Sequence, residues 1–327
     1  MSFNRIITPR FYIDNCNWQA SRGLSRNSMI TIDADEIQLN TGYTKYQMFD
    51  MSPQNYVTFN TSGDSDSVLV AIDLGVAGIS TNSLTILNHN LSIAGGNITI
   101  QHHTSAITAP TGVGTAVAGI AAVVNGGTVG SGISTPNNSG DTVLTFTAST
   151  DRYWAIIFND VATWSATDLQ IGEIVLSQYY TMPVSPDMPT TRSFGFEGVK
   201  VQKSLGGKAF GSAQWLGASS GDYEPFRSVT TSETAVGGRE SFDFSYTYLK
   251  DSDVFPSDMS ALYGSSNFLG DVVNKASLQL IPFVYTGDST STTKGDYYYA
   301  RFEQPTLTTS MPASQAVSFS ARIVQEF

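Results

Sequence analysis

Apolar and polar residues alternate over long stretches of this sequence, and that alternation limits the fold more than any other feature. The clearest stretches are residues 67–75, 240–249 and 316–327. In the second, ESFDFSYTYL, four aromatic residues alternate with serine, aspartate and threonine. A period of two places the apolar side chains on one face of a strand, which predicts half-buried antiparallel strands. We therefore expect an all-β protein with at most one short helix, best placed at residues 258–275.

The length and one proline-rich stretch predict two domains. The chain has 327 residues, and single hydrophobic cores seldom grow beyond roughly 250–300 residues. Three prolines lie in TMPVSPDMPTT, where they stiffen the chain and remove backbone donors. We predict an N-terminal arm (1–50) packed on the C-terminal domain, a β-sandwich (51–182), a linker (183–191), and a second antiparallel β-sandwich or barrel (192–327). The two halves are expected to fold separately.

The composition argues against several kinds of partner. Only 14% of the residues are charged and the net charge is −11, whereas binding to phosphates needs clustered lysine and arginine. Cys16 is the single cysteine, so an internal disulfide is excluded. No run of about 18 apolar residues is present. We expect no nucleic-acid partner, no membrane span and no cofactor.

The segment RYWAIIFND (152–160) is apolar on both faces if it forms a strand. Such a strand needs cover on both sides. We expect a partner sheet on one side, and on the other either the low-charge insertion 106–141 or a second subunit. Arg152 is expected to pair with Asp73 or Glu173; the alternative is a surface position at the strand end.

Four segments in order resemble the galactose-binding-like, discoidin-type β-sandwich. They are VAIDLG (70–75), LTILNHNLSIAGGNITIQ (84–101), RYWAIIFND (152–160) and LQIGEIVL (169–176). The resemblance covers residues from about 52 to 180. It implies a central strand at 152–160, and a set of structural motif residues: Asp73, Gly75, Arg152, Tyr153, Trp154 and Glu173.

Three other segments are similar to tail and tail-tip proteins of tailed bacteriophages. They are ITPRFYIDNCNWQASRG (7–23), GRESFDFSYTYLKDSDVFP (238–256) and the last 31 residues from YYYARF (297–327). This resemblance implies a virion structural protein that forms a ring with copies of itself and displays the sandwich outward. Other phage tail proteins are its further expected partners. Its position in the particle stays open.

Candidate ligand contacts come from aromatic and histidine residues near the sandwich loops. Trp164 follows the central strand, where a sugar ring could stack on it, but core packing is the alternative. His89 is a second candidate glycan contact, with a turn role as the alternative. Asp64 and Asp66 suit Ca²⁺ or simply a solvated turn. No catalytic, cofactor-binding or metal-ligating residue is predicted.

Two functions follow from these observations. The first is a non-enzymatic structural protein of a phage virion, in the tail, tail tip or baseplate. The alternative is a carbohydrate-binding module that mediates adsorption to glycan on the host surface. A hydrolase acting on glycan is a third reading, but nothing in the sequence selects one carboxylate pair among the 28 acidic residues.

Overall fold

The fold was analysed in a computed structural model of the chain. The structure describes residues 7–130, 132–159, 163–195, 200–212, 225–226, 239–257 and 266–326.

Antiparallel β-strands make up most of the structure. The strands are β1 (Arg10–Asp14), β2 (Ile30–Ile32), β3 (Val57–Phe59), β4 (Val68–Asp73), β5 (Thr81–His89), β6 (Asn97–His103), β7 (Thr115–Ala116), β8 (Ala121–Val124), β9 (Thr128–Gly130), β10 (Ile133–Thr135), β11 (Gly140–Ser149), β12 (Tyr153–Asn159), β13 (Leu169–Ile171), β14 (Glu173–Thr181), β15 (Thr191–Gly195), β16 (Lys200–Lys203), β17 (Ala209–Ser212), β18 (Arg239–Lys250), β19 (Phe283–Thr286), β20 (Tyr297–Phe302), β21 (Thr309–Ala313) and β22 (Ala316–Gln325). The predicted all-β class is confirmed.

Helices are short, but the described residues contain more of them than the single one expected. They are α1 (Asn15–Ser21), α2 (Arg26–Met29), α3 (Leu91–Ala94), α4 (Asp251–Val254) and α5 (Asn274–Ala276), with 3-10 turns at Lys45–Phe49 and Lys294–Asp296 and a π-helical turn at Leu269–Val273. The π-helical turn and the first two residues of α5 fall within the predicted helix at 258–275. The first part of that predicted helix lies outside the described residues. None of these helices combines the length and apolar character needed to cross a membrane.

Two sheets dominate the architecture. An 11-stranded sheet runs in the order β15-β18-β22-β20-β19-β1-β14-β5-β11-β8, with β21 also paired to β22. A seven-stranded sheet runs β2-β4-β12-β6-β10-β9, with β7 paired to β6. The main core lies between the seven-stranded sheet and the β14-β5-β11 part of the large sheet, because apolar residues of both belong to one buried cluster.

The large sheet crosses from one half of the chain to the other, which contradicts the expectation that the halves fold separately. The shared element is β1: Tyr12 pairs with Tyr179 of β14 on one side and with Val284 of β19 on the other. Sheet hydrogen bonds therefore run without a break through both halves. The boundaries at 51–182, 183–191 and 192–327 stay a prediction.

The N-terminal arm contacts both halves of the chain, and more of its buried apolar residues belong to the core of the sandwich than to the C-terminal core. Met29, Ile30, Met48 and Phe49 all belong to the buried cluster of the sandwich, and β2 pairs with β4 there. The arm also contacts the C-terminal half, through the pairing of β1 with β19 and through Lys275, which reaches Asn15 and the Trp18 ring of α1. The arm's apolar side chains fill the sandwich because short elements such as β2 and α2 have too few residues for a core of their own.

The strand β12 is central and buried on both faces, as predicted. It pairs with β4 on one side and β6 on the other. On one face Trp154 and Ile156 belong to the main core. On the other face Ile157 packs in a small cluster with Ile107 from the low-charge insertion. The insertion therefore covers this face within the chain; Asp160 lies outside the described residues.

The C-terminal strands follow the predicted alternation. Phe242, Phe244 and Tyr246 of β18 are buried in a second core, together with Phe319 and Ile323 of β22. This core is rich in rings: Phe268 stacks on Phe319 with 4.8 Å between centroids. Asp243, Ser245 and Thr247 of β18 and Ser318, Ser320 and Arg322 of β22 face outward and form the surface described below.

Candidate functional site

The motif residues after β4 form a fixed corner of the sandwich. Arg152 donates from Nε and from Nη2 to the two carboxylate oxygens of Asp73, at 2.6 and 2.7 Å, so the predicted pairing with Asp73 is confirmed. The guanidinium also lies over the Tyr153 ring, 4.9 Å from its centroid. Gly75 has φ of +79° and donates its N–H to Asp73; a side chain there would be strained and would press on Leu24. These contacts are structural.

Glu173 does not pair with Arg152 but is buried at the start of β14, opposite Leu87 of β5. Neither of its carboxylate oxygens accepts a hydrogen bond of normal geometry from a described residue. Burial raises the pKa of Glu173 well above its usual range, and the nearby carboxylates of Asp14 and Asp50 raise it further, although the backbone amides of Met51 and Ser52 act in the opposite direction. Glu173 is therefore a core carboxyl group with no access to ligand.

Trp164 is a core residue, which corrects its candidacy as a sugar platform. Its side chain is 2% exposed, and its ring lies against Gly96, where a Cβ atom would come within 2.5 Å. Its Nε1 donates to the backbone oxygen of Asp66 at 2.8 Å. A ring covered in this way offers no face to a sugar.

His89 is also buried, so it cannot contact a glycan as the structure stands. Its Nε2 lies 2.8 Å from the Thr142 hydroxyl, and its Nδ1 accepts the Leu91 N–H. Burial lowers the pKa of His89 to about 4, which indicates a neutral ring at neutral pH. This is the turn role that the sequence left open.

A histidine, a serine and an aspartate meet near the start of β12 without forming a catalytic triad. Asp151 lies 2.6 Å from Nδ1 of His102, and the Ser149 hydroxyl lies 3.1 Å from the same nitrogen. A serine nucleophile needs the opposite ring nitrogen as its base. His103, on the other face of β6, accepts the Ser105 N–H instead.

No group of three or more His, Cys, Asp or Glu side chains suited to a metal ion occurs in the described part of the chain. Asp64 accepts the N–H groups of Ser65 and Asp66, an arrangement of a solvated acidic turn. The side chains of Glu36, Asp64 and Asp66 line one small polar pocket.

An open site lies on the outer face of the C-terminal strands, away from every residue predicted to bind ligand. It is a groove with a volume of about 700 Å³. Its floor comes from β18 and β22, which pair side by side, and their outward residues line it: Asp243, Ser245 and Thr247 from β18, and Ser318, Ser320 and Arg322 from β22. Because the alternate residues fill the core beneath, the groove has a rigid base.

One wall of the groove is the segment that links β20 to β21, and its polar side chains bind the edge of β22. Gln304 accepts the Arg322 N–H at 2.7 Å and donates to the Ser320 backbone oxygen at 3.3 Å. Glu303 donates its own N–H to the Arg322 backbone oxygen. The side-chain amide of Gln304 thus takes the place of a strand residue and fixes the wall, to which Thr306 and Thr308 add hydroxyl groups.

The floor presents hydroxyl groups that have no hydrogen-bond partner among the described residues. Ser245 and Ser320 lie opposite each other across the two strands, and neither hydroxyl makes a hydrogen bond to another described residue. Further along, the hydroxyls of Ser310 and Ser318 lie 2.6 Å apart. Thr247 donates its hydroxyl to the Asp187 carboxylate. The free hydroxyls can each donate and accept a hydrogen bond.

The charges at the groove compensate one another. Arg322 lies 2.7 Å from a Glu303 oxygen and 3.6 Å from an Asp243 oxygen, and it donates to the Ser241 hydroxyl at 3.2 Å. These three charged side chains are about half exposed. The groove therefore carries no uncompensated positive charge from its described lining.

The sequence did not predict this groove, because the predicted ligand contacts were aromatic, histidine and acidic residues of the N-terminal half. The signal was present in the alternation itself, since the serines and threonines of β18 and β22 mark the outward face. The pairing of Ser245 with Ser320, which brings those hydroxyls together, cannot be read from strands so far apart in the chain.

No protein family model matches the sequence, and no curated protein matches it. Solved structures of carbohydrate-binding modules are similar to part of the chain. Chitosan-binding module 1 from a chitosanase/glucanase of Paenibacillus sp. IK-5 is 17% identical, with a TM-score of 0.32, over 46% of this chain and 93% of that one. The module CBM32-1 from a family 31 glycoside hydrolase of Clostridium perfringens is 10% identical, with a TM-score of 0.31, over 46% and 94%.

A third similar structure is the CBM32 of AlyQ in complex with 4,5-unsaturated mannuronic acid. It is 20% identical, with a TM-score of 0.28, and the match covers 45% of this chain and 92% of the module. Likenesses of this size say nothing of the ligand of this chain. The phage role stays a prediction.

Proposed function

We propose that this protein is a non-enzymatic carbohydrate-binding protein and that the groove on β18 and β22 is its binding site. This is the alternative function of the sequence analysis, with the site moved to the C-terminal half. The observation that carries the proposal is the floor of the groove, where serine and threonine hydroxyls face outward and those of Ser245 and Ser320 have no described partner.

The polarity of the groove favours a sugar over other small ligands. Pockets for drug-like molecules and cofactors are lined mainly by apolar and aromatic side chains, whereas the floor and wall of this groove also carry many hydroxyl groups, the Gln304 amide and the Asp243 carboxylate. Sugar hydroxyls are donors and acceptors at once, as are serine and threonine hydroxyls. A ligand with many hydroxyl groups can satisfy the floor, and an apolar ligand would leave it unpaired at a cost.

The carboxylates at the groove support binding without hydrolysis. Glycoside hydrolysis needs one protonated carboxylic acid and one ionised carboxylate on opposite sides of the bond. Asp243 and Glu303 instead face the same Arg322 guanidinium. That arrangement suits two salt bridges rather than an acid and a nucleophile, and no histidine lines the groove in the described residues.

A glycan array with the purified protein tests the proposal. We expect binding to at least one polysaccharide, and loss of that binding in the double variant Ser245→Leu/Ser320→Leu, which fills the floor with apolar side chains. Ser105→Leu, at an exposed serine of the N-terminal half, is the matched control and should bind like the wild type. An array on which the wild-type protein binds nothing would overturn the proposal.

We also propose, as a second candidate, that the protein assembles with copies of itself in a phage virion. Three large apolar side chains favour this: Val184, Met188 and Phe194 are 48%, 83% and 57% exposed and lie close together in sequence. Exposed apolar groups next to an outer strand such as β15 are typical of surfaces that bind another chain. Light scattering after size exclusion tests it, and a monomer that joins no particle component would contradict it.

A further inference from the structure

We propose that Tyr248 is the stacking platform of the groove and that the ligand is a neutral glycan. This rests on the proposed function and deepens it by assigning the ring that would hold the sugar and the chemical class of the sugar.

A β-bulge turns Tyr248 outward. Regular alternation along β18 would put Tyr248 on the same side as Tyr246, in the core. The register of β18 on β22 shifts between Tyr246 and Leu249, which pair with Phe319 and Val317. Two residues, Thr247 and Tyr248, therefore lie opposite the single residue Ser318. Bulges of this kind redirect a side chain and are common next to binding sites.

The bulge places Tyr248 beside the groove. Thr247 and Ser318 both line the groove, and Tyr248 is the chain neighbour of the first and lies opposite the second. The inward position is taken by Leu249, which is buried in the C-terminal core. Tyr248 therefore lies on the solvent side, at the end of the groove marked by Thr247 and Ser318.

Tyr248 is exposed beyond what the fold requires. Its side chain is 73% exposed, more than any other aromatic residue in the described part of the chain. The next tyrosines, Tyr46 and Tyr56, are 36% and 39% exposed, and each has a local partner: Tyr46 donates to Asn27, and Tyr56 packs near Tyr43. An exposed ring offers apolar area with a polar hydroxyl at its end, which suits the mixed surface of a sugar.

The charges assign the ligand class. Among the described lining residues, Arg322 is the cation, and its guanidinium is shared by Glu303, Asp243 and the Ser241 hydroxyl. An acidic sugar would have to compete with two carboxylates for that group and would be repelled by both. A neutral glycan meets no such cost.

The test compares Tyr248→Ala, Tyr248→Phe and Tyr46→Ala on neutral glucan, mannan and galactan and on acidic alginate and hyaluronan. We expect Tyr248→Ala to weaken the binding of a neutral glycan about tenfold, which corresponds to about 1.4 kcal/mol, within the range of aromatic contacts. Tyr248→Phe keeps the ring and should bind within about twofold of the wild type. Tyr46→Ala is the control and should bind normally, and all three variants should melt like the wild type.

Three results would overturn the inference. If Tyr248→Ala binds like the wild type while Ser245→Leu/Ser320→Leu does not bind, the groove is the site but Tyr248 is not its platform. If alginate or hyaluronan binds more tightly than every neutral glycan, the neutral class is wrong. If the wild-type protein binds none of the five, the proposed function fails together with the inference.

Discussion

The strands β12 and β18 lie in different sheets and differ in how many of their faces the fold covers. In β12 both faces are buried, one in the main core and one beneath Ile107. In β18 one face is buried against β22 and its neighbours, while Asp243, Ser245 and Thr247 face solvent at the groove. A strand covered on both sides can only support the fold, whereas a strand covered on one side has a face left for a ligand.

The aromatic residues of the two regions show the same difference. Trp154 and Trp164 are enclosed by the sandwich, and an aromatic residue without an exposed face cannot stack on a sugar. Tyr248 is exposed because a bulge breaks the alternation of β18. The number of aromatic residues in a segment therefore does not locate a binding site. The β-bulge in β18 is the better indicator, because it turns an aromatic side chain toward solvent.

The largest expected effect is the loss of the central tryptophan of β12. Trp154 is fully buried, and truncation of such a side chain to alanine costs about 3–5 kcal/mol, out of a total of about 5–15 kcal/mol for a domain. Trp154→Ala should lower the melting temperature strongly or prevent folding. Tyr248→Ala is the matched surface change and should shift stability by less than about 0.5 kcal/mol. Equal melting curves for the two variants would contradict the claim that Trp154 of β12 supports the core and Tyr248 of β18 does not.

A second large effect is expected at the strand that joins the two regions. Phe11 of β1 is buried against Phe268, Phe283 and Phe302 of the C-terminal core, although β1 also pairs with β14 of the sandwich. Phe11→Ala should cost about 3–5 kcal/mol. Because one sheet connects both regions, calorimetry should show both losing stability in one transition. A variant with two separate transitions, only one of them shifted, would show that the halves fold independently after all.

A smaller effect, with a defined pH dependence, is expected at Glu173. Burial raises its pKa in the folded state well above the usual range, whereas the unfolded chain has a glutamate pKa of about 4.3. The folded state therefore holds the proton more tightly, and its stability falls as the pH rises above about 4.3.

Glu173→Gln removes that ionisation. Denaturant unfolding at pH 5 and pH 8 should show the variant gaining stability over the wild type as the pH rises, with the smaller difference at pH 5. Asp14, whose pKa burial raises to about 6, should leave a residual loss of stability between about pH 4 and 6 in the variant. A difference that is the same at both pH values would contradict the account of Glu173.

The smallest effect is expected at the ion pair of the sandwich corner. Arg152 and Asp73 make two hydrogen bonds but are 39% and 24% exposed, and exposed ion pairs contribute about 0.2–1 kcal/mol. Arg152→Ala should therefore cost about 1 kcal/mol or less in denaturant unfolding, far less than Trp154→Ala. A loss as large as that of Trp154→Ala would mean that the corner, not the core of β12, holds the sandwich together.

Much of the fold follows from the sequence. The two-faced pattern of 152–160 predicted the buried central strand, and the polar and apolar alternation of 240–249 predicted β18, because each depends only on local periodicity. Asp73 was one of two partners predicted for Arg152, and the pairing of β4 with β12 brings it there.

The remaining features depend on contacts that a linear sequence does not display. The short strand β1 joins both regions only because strands from each lie on its two sides. Trp164 is buried because Gly96 has no side chain to fill the space that its ring occupies. The groove needs β18 and β22 side by side and a register shift at Tyr248, so neither the site nor its platform could be placed beforehand.

Hydrogen–deuterium exchange with and without the tightest glycan from the array tests most directly whether the binding surface belongs to the C-terminal sheet. Bound ligand slows the exchange of the amides whose local opening it prevents. The account predicts added protection in peptides from 241–250, 303–311 and 316–325. Added protection confined to the sandwich loops at 61–66 and 163–168, with the C-terminal strands unchanged, would contradict it.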